Sequence, residues 1–161
     1  MNNTFEINLR INGQTVALAT TAEKSLLRLL RENNYWDVKC GCEEGDCGSC
    51  AVLLDGRAVK SCITLAAACN GREIWTNRGL GRTDELTKKL QAAFVESGAI
   101  QCGFCTCGMI IAAKHYLEQG GKADRSQIKE AISGNLCRCT GYVKIVDAVY
   151  GVALEMGTGG I

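Results

Sequence analysis

The residues of this chain that could do chemistry are cysteines, and one group of them lies in a glycine-rich loop. Cys42, Cys47 and Cys50 are separated by four and two residues, and Cys62 follows at a distance. This spacing is typical of thiolates that bind a [2Fe-2S] cluster, because three of them must reach two irons from one short loop. Glycines in the loop let backbone N–H groups approach the sulfurs. A structural zinc loop is the alternative, but zinc sites favour paired short spacings.

A second group consists of two short pairs, Cys102 with Cys105 and Cys137 with Cys139. Each pair lies at a junction between predicted helices, so an up-and-down bundle could bring the four thiols together at one end. Taken alone, these pairs could hold either zinc or iron. A second [2Fe-2S] cluster becomes the better interpretation because the same chain carries the first loop.

The composition narrows the classes of protein to which the chain can belong. It has 161 residues, 11 cysteines, no proline and a formal net charge of +1. An odd number of cysteines in a chain of this length argues against a disulfide scaffold and for metal binding in a reducing compartment. The balanced charge does not favour nucleic acid, and no apolar run approaches the ~18 residues of a membrane span. Because no secretory signal is recognisable either, we expect a cytoplasmic protein with neither a nucleic acid nor a membrane partner.

The elements that must position the first cysteine group form a small α+β unit. Apolar residues alternate with polar ones over 5–11, and Asn12-Gly13 predicts a tight hairpin turn. An amphipathic helix is predicted over 25–33, and further strands over 51–54, 58–60 and 73–76. The cysteine loop lies between this helix and the third strand.

Four amphipathic helices are predicted to position the second group. Thr83 is expected to cap the first, which ends at Gly98, and the second ends at Gly120. Asp124 is expected to cap the third, and the fourth covers about 142–155. Such helices bury their apolar stripes against one another, which predicts a bundle. The predicted domains are therefore 1–78 and 84–156, followed by a flexible tail at 157–161.

Three segments occur in a characteristic order: GCEEGDCGSC at 41–50, QCGFC at 101–105 and GNLCRCTGY at 134–142. Together they resemble the iron–sulfur subunit of the xanthine dehydrogenase / molybdenum hydroxylase family, over about residues 4–154. The resemblance implies an α+β fold, in which an N-terminal β-grasp domain of the plant-type ferredoxin kind precedes a four-helix bundle. Each domain is expected to bind one [2Fe-2S] cluster.

The resemblance also implies a role for individual residues. The expected ligands are Cys42, Cys47, Cys50 and Cys62 for a distal cluster, and Cys102, Cys105, Cys137 and Cys139 for a proximal one. Gln101 is expected to contact the pterin of a molybdopterin cofactor, because an amide offers both donors and an acceptor to a heterocycle edge. Cys139 is expected to lie near that pterin.

By the same resemblance the chain is an electron-transfer subunit of an oxidoreductase, with no catalytic residue or substrate pocket of its own. A large partner subunit would carry the molybdopterin. Electrons would pass through the proximal and then the distal cluster to a medium-sized FAD-binding subunit or another acceptor, in a heteromeric complex that could itself dimerise. A purine or other N-heterocycle is favoured as substrate over an aldehyde. The alternatives are a stand-alone two-cluster ferredoxin and a zinc-stabilised interaction module.

Three cysteines are left unassigned. Cys107 stands where the family commonly has proline, and is either an alternative ligand or a small buried apolar residue. The second interpretation is favoured because free cysteine is among the most buried residue types. Cys40 could compete with Cys42 as a ligand, although Cys42 fits the spacing, and Cys69 has no assigned role.

Overall fold

A computed structural model of the chain describes residues 3–157. Its first half is a five-stranded mixed sheet with one helix, α1, packed against it. The strands and helix are β1 (Phe5–Ile11), β2 (Gln14–Thr20), α1 (Leu26–Glu32), β3 (Ala51–Leu54), β4 (Arg57–Lys60) and β5 (Glu73–Trp75). The order across the sheet is β2-β1-β5-β3-β4, and β1 pairs with β5 in parallel while the other neighbours are antiparallel. This unit is the predicted β-grasp.

The predicted hairpin is confirmed. β1 and β2 pair antiparallel around Asn12 and Gly13, which both have positive φ, 51° and 81°. Two left-handed residues give the turn a twist that matches the strands on either side. The alternation of β1 then turns Ile7, Leu9 and Ile11 into the core, where each is almost fully buried.

Helix α1 covers the inner face of the sheet. It begins after Ser25, whose hydroxyl accepts a hydrogen bond from the backbone N–H of Arg28, as an N-cap should. Four leucines of the helix are fully buried among the strand residues. The loop that leaves α1 and returns to β3 is therefore anchored at both ends, and this loop carries the first cysteine group.

The second half consists of five helices, α2 (Asn77–Thr83), α3 (Glu85–Glu96), α4 (Thr106–Glu118), α5 (Arg125–Ala131) and α6 (Val143–Glu155). Helices α3 to α6 enclose one apolar core and form the predicted four-helix bundle. The prediction of an N-cap at Thr83 is wrong, because Asp84 accepts the backbone N–H of Thr87 at 2.7 Å and caps α3. Helix α2 was not predicted and spans the expected domain boundary.

The two halves are packed together. Leu53 of β3, Leu80 of α2 and Ile111 of α4 form a small apolar cluster between the sheet and the bundle. The predicted domain limits themselves stay a prediction, and apart from Gly157 the predicted tail lies outside the described residues. Within the described part of the chain, no helix is long and apolar enough to cross a membrane.

Candidate metal centres

Backbone donors surround the first thiol of the loop between α1 and β3. Glu43, Gly45 and Gly48 have φ values of 59°, 87° and 66°, so the chain curls back on itself. As a result the N–H groups of Glu44 and Cys47 each donate to Cys42 Sγ at 3.4 Å. These donors lower the pKa of the Cys42 thiol to about 6. The thiolate is the form that binds a metal, so this sulfur is ready to be a ligand at neutral pH.

Two further thiols of the first group lie just before β3 and in the turn after β4. Cys50 is buried directly before β3, and Cys62 lies in a short helical turn over Ser61–Ile63. The Ser61 hydroxyl donates to the Cys50 carbonyl at 2.7 Å, which ties the two segments together. Burial and then the adjacent Cys50 thiol raise the pKa of Cys62 to about 11. The structure thus brings the four predicted residues together as two pairs, Cys42 with Cys47 and Cys50 with Cys62.

The second thiol group has the same paired arrangement at one end of the bundle. Cys102 Sγ and Cys139 Sγ are 3.6 Å apart and both residues are exposed. Cys105 is buried and contacts Cys137, and burial followed by this contact raises the pKa of Cys105 to about 12. Repulsion from the neighbouring Cys137 and Cys102 thiolates adds to this rise in the pKa of Cys105.

Polar side chains hold Cys137 in place. The Thr140 hydroxyl donates to Cys137 Sγ at 3.1 Å, and the Tyr142 hydroxyl accepts the backbone N–H of Cys137 at 2.9 Å. Although burial opposes it, the hydrogen bonds from Thr140 lower the pKa of the Cys137 thiol. Tyr142 reaches this position with a left-handed backbone, φ 69°, which is strained for a residue with a side chain. Tyr142 closes the segment 134–142, but its residue type gives no sign in the sequence of this contact with Cys137.

Both thiol groups fit a [2Fe-2S] cluster. Each supplies two pairs of thiolates, which is what two irons with two terminal ligands each require. Cationic iron would also relieve the repulsion between thiolates and displace their protons. Gly41 shows that the first pocket is tightly shaped, because a Cβ there would lie 2.7 Å from both Cys47 Sγ and Ser49 Oγ. Within residues 3–157, no three His, Cys, Asp or Glu side chains are placed to hold one metal ion. When bound, a cluster of this type stores and releases single electrons.

The three unassigned cysteines have hydrogen-bond partners that are not members of these groups. Cys40 donates to a Glu43 carboxylate oxygen at 3.0 Å, and the buried Cys69 donates to the carbonyl of Leu65 at 3.5 Å. Cys107 accepts a hydrogen bond from the Asn77 amide at 3.5 Å, and burial raises the pKa of its thiol. Each of the three therefore has a partner outside the two thiol groups.

Gln101 lies directly beside the exposed pair of the second group. Its amide nitrogen donates to the backbone carbonyl of Cys139 at 3.1 Å. The side chain itself is exposed, as are Cys102 and Cys139. The two residues that the sequence associated with a pterin therefore lie together at the surface.

The two thiol groups are joined by contacts that the sequence did not reveal. The backbone N–H of Leu136 donates to the carbonyl of Cys47 at 2.9 Å, and the Asn135 amide donates to the carbonyl of Gly48 at 3.0 Å. Asn135 is only 6% exposed, so this contact is shielded from water. It joins the loop of the first group to the residues just before Cys137 of the second.

Comparison with known protein families gives two matches that together cover nearly the whole chain. Residues 9–74 match the 2Fe-2S iron-sulfur cluster binding domain, and residues 76–150 match the [2Fe-2S] binding domain. The first match contains one thiol group and the second contains the other.

Individual relatives are similar over almost their full length. The nicotine 6-hydroxylase small subunit of Paenarthrobacter nicotinovorans is 43% identical over 94% of this chain and 92% of its own. The nicotinate dehydrogenase small FeS subunit of Eubacterium barkeri is 45% identical over 91% of this chain and 94% of its own.

Solved structures give the same result. A chain of quinoline 2-oxidoreductase from Pseudomonas putida 86 superposes with a TM-score of 0.87 at 38% identity, over 96% of this chain and 98% of its own. The aldehyde oxidoreductase of Desulfovibrio gigas superposes with a TM-score of 0.86 at 36% identity, over 95% of this chain but 17% of its own much longer chain.

Proposed function

Because the chain belongs to the family of iron–sulfur subunits of molybdenum hydroxylases, we propose that it carries electrons from a molybdopterin site on a large partner subunit to a flavin subunit or another acceptor. The observation that carries this proposal is the pair of four-thiol groups, one of which reaches the surface beside Gln101. A carrier between two partners needs one site near the donor and one near the acceptor. Two separate thiol groups supply both.

The proposed ligands are those that the sequence indicated. Cys42, Cys47, Cys50 and Cys62 hold the distal cluster, and Cys102, Cys105, Cys137 and Cys139 hold the proximal one. The contacts within each group support this assignment. Serine variants at Cys42 and Cys105 should each halve the iron content of the purified chain, whereas the control Cys69→Ser should leave it unchanged. Full iron content in either ligand variant contradicts the assignment.

The exposed end of the bundle is proposed to face the molybdopterin subunit. Gln101 and Cys139 lie there together, and two nearby positions in the chain carry exposed apolar side chains, Ile100 at 36% and Val143 at 67%. Exposed apolar groups of this kind mark sites of protein interaction. Val143→Asp should therefore weaken assembly with the large subunit. The control Leu154→Asp, at the other end of α6 and 49% exposed, should assemble normally; equal assembly of both variants contradicts this orientation.

The proposed substrate is a purine or another N-heterocycle. Relatives named for nicotine and nicotinate are 43% and 45% identical, whereas the aldehyde oxidoreductase is 36% identical. The test is purification of the native complex, followed by turnover with hypoxanthine, nicotinate, quinoline and benzaldehyde and an artificial electron acceptor. We expect molybdenum to co-purify and an N-heterocycle to give the highest kcat/KM. Faster turnover of benzaldehyde contradicts the proposed class of substrate. Purification without any molybdenum-containing subunit indicates a free ferredoxin instead.

A cytoplasmic location is part of this proposal. All eleven cysteines are free, and thiols that must remain available to iron are best kept reduced in the cytoplasm. Fractionation of native cells tests it, and recovery of the protein outside the cytoplasm contradicts it.

A further inference from the structure

We propose that Asn135 and Leu136 form the bridge through which electrons pass between the two thiol groups. The inference rests on the proposed function and goes beyond it by assigning a role to residues that are not ligands. Leu136 supplies the connecting hydrogen bond, and Asn135 holds that bond in place. We refer to these two residues as the bridge.

The connection through Leu136 is short and almost entirely covalent. Its backbone N–H donates to the carbonyl of Cys47 at 2.9 Å, and its own carbonyl carbon is bonded to the nitrogen of Cys137. A path from Cys47 Sγ to Cys137 Sγ therefore uses only the bonds of three residues and one hydrogen bond. Electron tunnelling weakens less through bonds and hydrogen bonds than across a gap, so this path is favoured.

Asn135 positions the hydrogen bond of Leu136. Its amide donates to the carbonyl of Gly48, the residue after Cys47, and its backbone N–H is held by the carbonyl of Ile132 at 2.9 Å. Two adjacent carbonyls of the loop thus accept hydrogen bonds from two adjacent residues of the second half of the chain. The bundle packs closely against the Gly48 carbonyl, because a Cβ at Gly108 would overlap its oxygen.

A competing contact joins the two thiol groups at another point. The ring of Phe104, next to Cys105, lies against Gly41, next to Cys42, and a Cβ at Gly41 would be 3.7 Å from that ring. This contact is a van der Waals approach without a hydrogen bond. An electron taking this route would have to cross a gap, so we infer that it contributes less than the bridge.

The test follows an electron inside the assembled complex. A sub-stoichiometric viologen radical donates one electron and becomes its dication, and rapid freeze-quench EPR follows the redistribution of that electron between the two cluster signals. Leu136→Pro removes the N–H donor, and Leu136→Ala is the matched control because it keeps the donor and changes only a side chain that is 56% exposed. Asn135→Leu removes the positioning amide without altering the backbone, and Phe104→Leu removes the ring. Iron content and both midpoint potentials are measured for every variant.

We expect redistribution to slow by an order of magnitude or more in Leu136→Pro and several-fold in Asn135→Leu, at unchanged potentials and full iron content. Leu136→Ala and Phe104→Leu should retain the wild-type rate. Wild-type rates in both Leu136→Pro and Asn135→Leu overturn the bridge, as does an equal slowing in Phe104→Leu. If the Leu136→Pro variant does not bind both clusters, the rate of redistribution in Asn135→Leu alone decides whether the bridge carries the electron. A wild-type complex that lacks either EPR signal refutes the proposed function instead.

Discussion

Replacing Gly48 by alanine tests whether the loop of the first thiol group is pressed against the bundle as described. Gly48 has a left-handed backbone, φ 66°, and a Cβ there would overlap the Gly134 carbonyl and lie 2.6 Å from the Asn135 amide nitrogen. Gly56 is the matched control, because its φ is 77° and a Cβ there would meet nothing within 4 Å.

The two substitutions separate backbone strain from steric overlap. Alanine in the left-handed region costs about 1–2 kcal/mol, so Gly56→Ala should lose that amount and no more. Overpacking adds typically ~1–3 kcal/mol, so Gly48→Ala should lose about 2–5 kcal/mol in total. The effect of glycine on the unfolded chain is the same in both variants and cancels in the comparison.

Thermal unfolding followed by circular dichroism measures the difference. For a chain of this size each kcal/mol lowers Tm by about 2–4 °C, so Gly48→Ala should melt clearly below Gly56→Ala. It should also exchange electrons between its clusters more slowly, because the same overlap displaces Asn135. Equal melting of the two variants refutes the close packing of Gly48 on Asn135, and with it the geometry on which the bridge depends.

Three further predictions follow from individual side chains. Cys139→Ser should abolish the proximal EPR signal and turnover while the distal signal survives; retained turnover contradicts the ligand assignment. Cys107→Ala should keep full iron content by metal analysis, because its thiol is hydrogen-bonded to an amide outside both thiol groups, and loss of iron would make it a ligand. Asp84→Asn should lose about 1–3 kcal/mol at pH 7, because the almost fully buried Lys114 loses one of the two carboxylates that it contacts in the described part of the chain. Although burial opposes it, Thr87 and Lys114 lower the pKa of Asp84. The greater stability of the wild type over Asp84→Asn is therefore present at neutral pH and should shrink as pH falls below the ordinary aspartate pKa of about 4. A stability difference that stays constant in thermal unfolding down to pH 3 contradicts this prediction.

The elements that sequence patterns predicted are those in which local chemistry decides the conformation. The alternation of β1 and the Asn12-Gly13 turn specify the hairpin without help from the rest of the chain, and the leucines of α1 specify its buried face. The spacing of the cysteines also predicted which thiols meet. That is possible because the cysteines of each group are close together in sequence or lie where one element meets the next. Few arrangements of the chain can then bring the four thiols together.

Helix α2 could not be predicted because its stability comes from distant residues. Its sequence contains Gly79 and Gly81, and glycine has a low helix propensity. The helix forms because the Thr76 hydroxyl accepts the N–H of Gly79 and because Leu80 is buried between β3 and α4. The cap at Asp84 rather than Thr83 has a similar origin, since two adjacent residues can both cap a helix and tertiary contacts choose between them.

The contact between the two thiol groups also could not be predicted from the sequence. Asn135 and Gly48 are 87 residues apart, and neither residue type indicates that the other is its partner. The left-handed backbone of Tyr142 is equally hidden, because a tyrosine is not expected in that conformation. Such features arise from how the loop, the sheet and the bundle fit together.

The central claim is that this chain carries two [2Fe-2S] clusters for electron transfer. The most direct test is metal and acid-labile sulfide analysis of the natively purified protein, combined with EPR after reduction by dithionite. The family matches and the two thiol groups lead us to expect four iron and four sulfide per chain and two distinct EPR signals. A colourless protein that contains zinc, and that gives no EPR signal after reduction, would contradict the claim.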